Sequence, residues 1–261
     1  MPILTVGNPR TIYMVVDSEA MFHRAYHAFT SDKICLRTST GALSGGFHGF
    51  FSMLYNQVQS FSPKEMIFCW GDKRANLLRR NIYPAYKGNR SDTPRERFDE
   101  QLFDVQLVLD VMGFVQYTSQ GYEGDDVIAT VVKDRLQPYL DSDPTAVIAI
   151  LSSDKDMLQL VNNRVTVYHV ASSIPTEFTP AKVEEKYGVT PALFADYLCL
   201  VGDDNDNEVV IIDFFDKDVG LTKCDTYIDF PGNSKSAAKK SPNEVYEFIL
   251  SRICKEHNLY K

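Results

Sequence analysis

No stretch of this chain has the length of a bilayer span, since its clearest apolar run, Ala146 to Leu151, is only strand-sized. The first residues, MPILTVGNPR, lack the layout of a secretion signal. Cysteine is sparse: the five, Cys35, Cys69, Cys199, Cys224 and Cys254, are odd in number, scattered, and without zinc-knuckle spacing. Reduced thiols in a cytoplasmic compartment are therefore expected. The five histidines, His23, His27, His48, His169 and His257, show no metal-ligand spacing beside acids and read as structural or surface residues. The single tryptophan, Trp70, is expected in the core, and no internal repeat is visible. An excess of positive charge is also missing, the formal net charge being −8.

Net charge is a weak guide where charge is segregated. Between Gly71 and Arg97 stand eight basic residues (Lys73, Arg74, Arg79, Arg80, Lys87, Arg90, Arg95 and Arg97) against Asp72, Asp92 and Glu96. The rest is ordinary for a globular protein, with 261 residues, 44% hydrophobic and 24% charged, enough for one large domain or two small ones.

Apolar runs at Thr11 to Val16, Glu65 to Trp70, Phe114 to Tyr117, Ala146 to Leu151 and Val165 to Val170 read as strands. Between them, Gly41 to Phe61, Phe98 to Met112 and the stretch opened by Asp125 have helical periodicity, and Met157 to Val161 reads as a short helix. Gly45, Gly46 and Gly49 lie in the first of these helices, where packing against a neighbour is the default reading. This alternation predicts an α/β fold with a mostly parallel central sheet flanked by helices. Beyond Val170 the pattern turns helical. Thr179-Pro180 and Thr190-Pro191 look like capped helix starts, Gly188 like a stop, and Ser241 to Glu244 like a capping box. The expected division is an α/β core over 1–175, holding a basic arch at about 73–97, and a helical region over 176–261.

Carboxylates punctuate the strand exits. Asp17 follows the first strand and Asp72 the second. Glu123, Asp125 and Asp126 follow the third, and Asp154 and Asp156 the fourth; Asp203, Asp204 and Asp206 end a later helix. Each alone reads as a helix cap or turn residue. Their repetition is what such readings leave unexplained. In a parallel sheet the carboxyl ends of the strands share one edge, where ligands bind. Carboxylates gathered there cannot all ionise without counter-charge, and hard divalent cations with oxygen ligands supply it. Two Mg²⁺ ions roughly 4 Å apart could serve a phosphodiester displacement. A basic segment beside such a crevice would hold a polyanion, while Tyr83 and Tyr86 offer faces for unpaired bases or for packing within the arch.

The stretches VVDSEAMFHRAYHAF (15–29), TGALSGGFHGFFSML (40–54), GDKRANLLRRNIYPAYKGNR (71–90), GYEGDDVIATV (121–131), ILSSDKDMLQLV (150–161) and the opening of LVGDDNDN (200–207) together resemble the 5′-nuclease superfamily. That superfamily includes the 5′-nuclease domain of bacterial DNA polymerase I, bacteriophage 5′-exonucleases and flap endonucleases, with a PIN-like core. The resemblance implies a 5′→3′ exonuclease or flap endonuclease acting on DNA flaps, single strands or free 5′ ends during replication or repair. It implies a first metal site of Asp17, Asp72, Glu123, Asp125 and Asp126, and a second of Asp154, Asp156, Asp203 and Asp206, for Mg²⁺ with Mn²⁺ as substitute. Lys87 and Arg79 take the arch's phosphate-contacting, catalytic role. Arg80 and Arg90 take backbone contacts, and Arg24 matches an arginine near the site. Asp204 receives no role. Replication proteins as partners, a monomer, and the cytoplasm of a bacterium or phage-infected host go with this reading, and no polymerase domain is visible.

One segment departs from the pattern. Where relatives carry a glycine-rich hairpin close to IPGVxGIGxKTA, this chain reads EVVIIDFFDKDVGLTKC (208–224), without the proline and most of the glycines. The potassium (K⁺) site that relatives often form there is accordingly assigned to no residue. Duplex grip is expected from Lys235, Lys239 and Lys240 or from a partner. Other readings stay open: a protein that binds branched DNA without cutting it, and a PIN-type ribonuclease, although such ribonucleases are usually shorter and lack the arch. A phosphatase with an aspartyl nucleophile lacks its second aspartate, because Ser18-Glu19-Ala20 follows Asp17.

Overall fold

The computed structural model describes residues 10–31, 34–72, 74–82, 86–87, 96–170 and 175–201. The chain divides into two units, Met1–Glu177 and Phe178–Lys261. In the first, β1 (Thr11–Asp17) leads into α1 (Ser18–Phe29) and the short pair β2 (Thr30–Ser31) and β3 (Ile34–Cys35). Then come α2 (Gly45–Phe61), β4 (Glu65–Trp70), α3 (Ala75–Ile82), α4 (Phe98–Val111), β5 (Val115–Thr118), α5 (Gly124–Thr130), α6 (Gln137–Ser142), β6 (Ala146–Ser152) and β7 (Val165–His169). After β8 (Thr176–Phe178) come α7 (Pro180–Tyr187) and α8 (Phe194–Val201). Among the described residues no helix is long and apolar enough to cross a membrane.

The main sheet has the order β5-β4-β1-β6-β7-β8, and β1 pairs in parallel with both β4 and β6. β4–β5 and β6–β7 are parallel too. The central strand TIYMVVD is buried from Ile12 to Asp17. A parallel strand covered by helices on both faces needs a continuous apolar run rather than alternation. This register brings the ends of β1, β4 and β6 to one edge, where Asp17 pairs with Cys69, and Val16 with Leu151.

The helix α1 was not anticipated from periodicity. Asp17 caps it, accepting from the Ala20 N–H at 3.1 Å, and Met21, Phe22, Ala25 and Tyr26 form its buried stripe. It packs on α2 through glycines. A Cβ at Gly49 would stand 2.5 Å from Phe29 Cδ2 and 3.0 Å from Ala25 Cβ, and one at Gly45 would collide with the Phe29 carbonyl oxygen. Trp70 is buried, stacked on Phe50, with its Nε1–H donating to Gln116 Oε1 at 2.9 Å.

Several boundaries differ from expectation for local reasons. The chain after Asp154 is a 3₁₀ helix, Lys155–Leu160, because the Asp154 carboxylate accepts the Asp156 N–H at 2.8 Å and tightens the turn. Beyond α5 the helix widens to a π turn at Val131–Arg135. A strand, β8, precedes the helices after Val170. Thr179 caps α7, and Gly188 ends it at φ 74°. Thr190-Pro191 instead opens a 3₁₀ turn, Pro191–Leu193, before α8. The Ser241 to Glu244 capping box lies outside the described residues.

Gly45→Ala tests the α1–α2 seam. The gain of about 1 kcal/mol in helix propensity is outweighed by overpacking against a backbone carbonyl, typically about 1–3 kcal/mol. Denaturant unfolding is therefore expected to give a lower midpoint for this variant than for the wild type; an equal or higher midpoint would show that the seam yields to the added methyl.

Candidate active site

Asp17 is buried at the end of β1. Its Oδ2 accepts from Ser152 Oγ at 2.7 Å, and the same Ser152 oxygen accepts the Asp154 N–H at 3.0 Å. Ser152 thus ties the ends of β1 and β6, a role that no periodicity in SSDKD announces. Burial pushes the Asp17 carboxyl above its ordinary range, opposed by the Ser152 and Ala20 bonds, with Asp154 adding repulsion.

Asp125, in the first turn of α5, has its carboxyl pushed up to about 8 by burial and then by Asp17, Asp154, Asp156 and Glu123. Those causes show that the carboxylates from the exits of β1, β5 and β6 share one field. Glu19, in the first turn of α1, joins them: burial, Asp17 and Glu123 raise its pKa, while Lys87 and the Gly71 N–H lower it. Sequence reading passed over Glu19, whose only signal was an acid two positions after Asp17. Gly71 eases the close meeting of these loops, because a Cβ there would lie 3.0 Å from Gly124 N and 3.1 Å from Glu19 Oε2, tighter than ordinary contact.

The arch cations rest on the neighbouring acids. Arg79 binds Asp126 through both terminal nitrogens at 3.0 Å and approaches Glu123 at 3.4 Å. Lys87 Nζ donates to Glu123 Oε1 at 2.8 Å, and Tyr86 OH donates to Glu123 Oε2 at 2.9 Å. The Tyr86 ring lies 5.7 Å from the Arg79 guanidinium and 5.1 Å from Lys87 Nζ. That places Tyr86 among the charged groups, where its ring favours cations. Asp126 also reaches back to the Glu123 N–H at 2.9 Å, as in a capping box. Lys87 has φ 51°, a left-handed backbone uncommon outside glycine. Arg80 donates to the Tyr86 and Lys87 carbonyls at 3.1 and 3.5 Å, spanning that turn.

Asp72 is engaged elsewhere. Its carboxylate accepts the Gly121 N–H at 2.7 Å and the Arg74 N–H at 3.2 Å, bonds that hold its pKa below the ordinary carboxylate range. It joins the β4 exit to the turn before α5. Arg24 lies on α1, with no hydrogen bond or ion pair to these acids among the described residues. Tyr83, Arg90, Asp203, Asp204, Asp206 and the 208–224 segment fall outside the described residues.

Among the described residues no three His, Cys, Asp or Glu side chains already form a closed metal cage. The donor chemistry nevertheless fits a hard cation: every group is a carboxylate, and Asp17, Glu19 and Asp125 are each pushed towards the neutral form by burial and by one another's charge. The pH dependence has a definite sign. Asp125 titrates at 3.8 when unperturbed and at about 8 here, so across that window the folded state holds a proton that the unfolded chain releases. Its contribution to stability is complete below the lower value and declines as pH rises through the higher one. In EDTA the thermal midpoint is expected to fall by several degrees across that window. Asp125→Asn should flatten the fall and raise the midpoint at its upper end; an unchanged slope would remove Asp125 as its source.

A family model described as 5′-3′ exonuclease, N-terminal resolvase-like domain, matches residues 12–188. The chain is 33% identical over 200 residues to DNA polymerase I of Mycobacterium leprae, covering 76% of this chain and 21% of the polymerase. It is 32% identical over 205 residues to the thermostable DNA polymerase I of Thermus thermophilus, covering 78% and 23%. The chain thus spans about a fifth of the length of these curated relatives. Its fold is similar to that of the bacteriophage T5 5′-exonuclease with zinc bound, at TM-score 0.56 and 22% identity over 77% of this chain and 70% of that one. It is also similar to the T5 flap endonuclease in a pseudo-enzyme-product complex with DNA and metal ions, at TM-score 0.56 and 20% identity over 86% and 81%. With the family model matching most of its length, this chain belongs to the 5′-nuclease superfamily, as one of the 5′–3′ exonuclease N-terminal, resolvase-like domains.

Proposed function

We propose that the chain is a divalent-metal-dependent 5′-nuclease that hydrolyses phosphodiester bonds in DNA at 5′ flaps and free 5′ ends. The observation that carries this reading is the seating of Arg79 and Lys87 on Glu123 and Asp126. Cations able to grip a phosphate sit against the carboxylates that must tolerate it. The groups proposed to hold Mg²⁺, with Mn²⁺ as substitute, are Asp17, Glu123, Asp125, Asp126, Asp154 and Asp156, together with Asp203 and Asp206. Asp72 is given the supporting task of ordering the loop before α5. Two such ions, when bound, acidify water and draw charge from the phosphate.

The chain's own residues do the rest. Ser152 and the Ala20 N–H fix the Asp17 carboxylate, and Tyr86 OH fixes Glu123. When a DNA strand arrives, Lys87 and Arg79 exchange carboxylate for phosphate and neutralise the charge that grows on its oxygens. The exchange costs little where the carboxylates they leave gain other counter-charge. Arg80 holds the Tyr86–Lys87 turn from behind.

A labelled 5′-flap duplex tests this reading. Cleavage with Mg²⁺, loss of cleavage in EDTA, and a fall in kcat of about 10²–10⁴-fold for Lys87→Ala are expected. Asp125→Asn combined with Asp126→Asn should leave binding without cleavage. Cutting that persists in EDTA would refute metal dependence. Tight binding by the wild type without cleavage in both Mg²⁺ and Mn²⁺ would establish a binding protein instead. Arg80→Ala separates positioning from phosphate contact: it is expected to lower kcat while leaving the salt slope of DNA binding unchanged, whereas loss of a phosphate contact reduces that slope by about 1.

A further inference from the structure

Away from the acidic edge, α2 and α4 carry an apolar surface that the nuclease reading does not use. On α4, Phe103, Leu107 and Val111 recur every fourth residue and are 63%, 50% and 80% exposed. This stripe is separate from the buried one made by Gln101, Val105 and Leu109. Beside it, Phe47, Phe51 and Tyr55 of α2 and Val108 of α4 line an open groove of about 630 Å³. Tyr55 is 64% exposed. Helices with two apolar stripes, one inward and one outward, bury the second against another body.

The charges around the surface select its occupant. α4 carries Asp99, Glu100, Asp104 and Asp110 and no lysine or arginine, the N-cap Arg97 being taken up by Glu100 at 2.6 Å, and α2 carries neither acids nor lysine or arginine. A two-fold contact with a second copy would set the same acids against each other. A helix with an apolar stripe and basic flanks fits both features, filling the groove while pairing with Asp104 and Asp110.

We propose that the α2–α4 face docks an amphipathic, basic-flanked helix of a partner protein. Nothing in this assignment depends on the nuclease chemistry. Two synthetic helical peptides with the same leucine stripe, one flanked by lysine and the other by glutamate, serve as probes of the full chain by fluorescence anisotropy and hydrogen exchange. The lysine peptide is expected to bind at least about tenfold more tightly than the glutamate one and to weaken with salt. It should slow exchange in 47–56 and 103–112. Leu107→Asp and, separately, Phe103→Ser should each abolish its binding while leaving circular dichroism and flap cleavage unchanged. Equal affinity for the two peptides, no binding of either, slow exchange of these segments in the peptide-free chain, or self-association that Leu107→Asp removes would overturn the proposal.

Discussion

Carboxylates crowded at one sheet edge repel each other and resist burial, and most of what surrounds them in this chain answers that cost. Asp17 is held by a serine hydroxyl and a helix N–H, Asp126 by the two prongs of Arg79, and Glu123 by Lys87 and a tyrosine hydroxyl. Asp125 has no such hydrogen-bond partner among the described residues, and burial with the neighbouring acids pushes its carboxyl up to about 8. An arrangement this unfavourable to its own stability is typical of a functional site. On the proposed reading Arg79 and Lys87 serve twice: they neutralise Glu123 and Asp126 in the substrate-free protein, and they turn to the phosphate when substrate enters.

The fold makes that crowding possible. A central strand, β1, buried from Ile12 to Asp17, places Asp17 between the ends of β4 and β6, and the parallel register keeps those ends level. Glycines then let backbones close in. Gly45 and Gly49 admit α1 against α2, and Gly71 lets the β4 exit pass beside Gly124 and Glu19. Among the described residues three non-glycines, Ser62, Lys87 and Arg97, have left-handed backbones, and of these Lys87 is the one proposed to contact substrate. Arg80 and Tyr86 hold the Lys87 turn through hydrogen bonds and ring contacts.

Runs such as TIYMVV, EMIFCW and AVIAIL were legible because a buried parallel strand leaves an unbroken apolar signature, and the acids after them followed from topology. Helix α1 escaped because its stripe of Met21, Phe22, Ala25 and Tyr26 is interleaved with His23, Arg24 and His27, so it reads more as a motif than as a period. Ser152 and Glu19 escaped for a different reason. Polar residues at the junction of two elements carry no periodicity, and their partners are distant in sequence, as Ser152 and Asp17 are. Asp72 shows the converse. Its position after a strand was readable, but not that the Gly121 N–H and Arg74 would claim its carboxylate.

If counter-charge is the controlling term, the arch and a divalent cation compete for the same carboxylates. Calorimetric titration of Mn²⁺ into the DNA-free protein, wild type against Lys87→Ala, measures that competition directly. The account requires tighter Mn²⁺ binding by the variant, because Glu123 is released from Lys87. Unchanged or weaker binding would show that the lysine supports the carboxylates in some other way, and the competition between arch and cation would have to be abandoned.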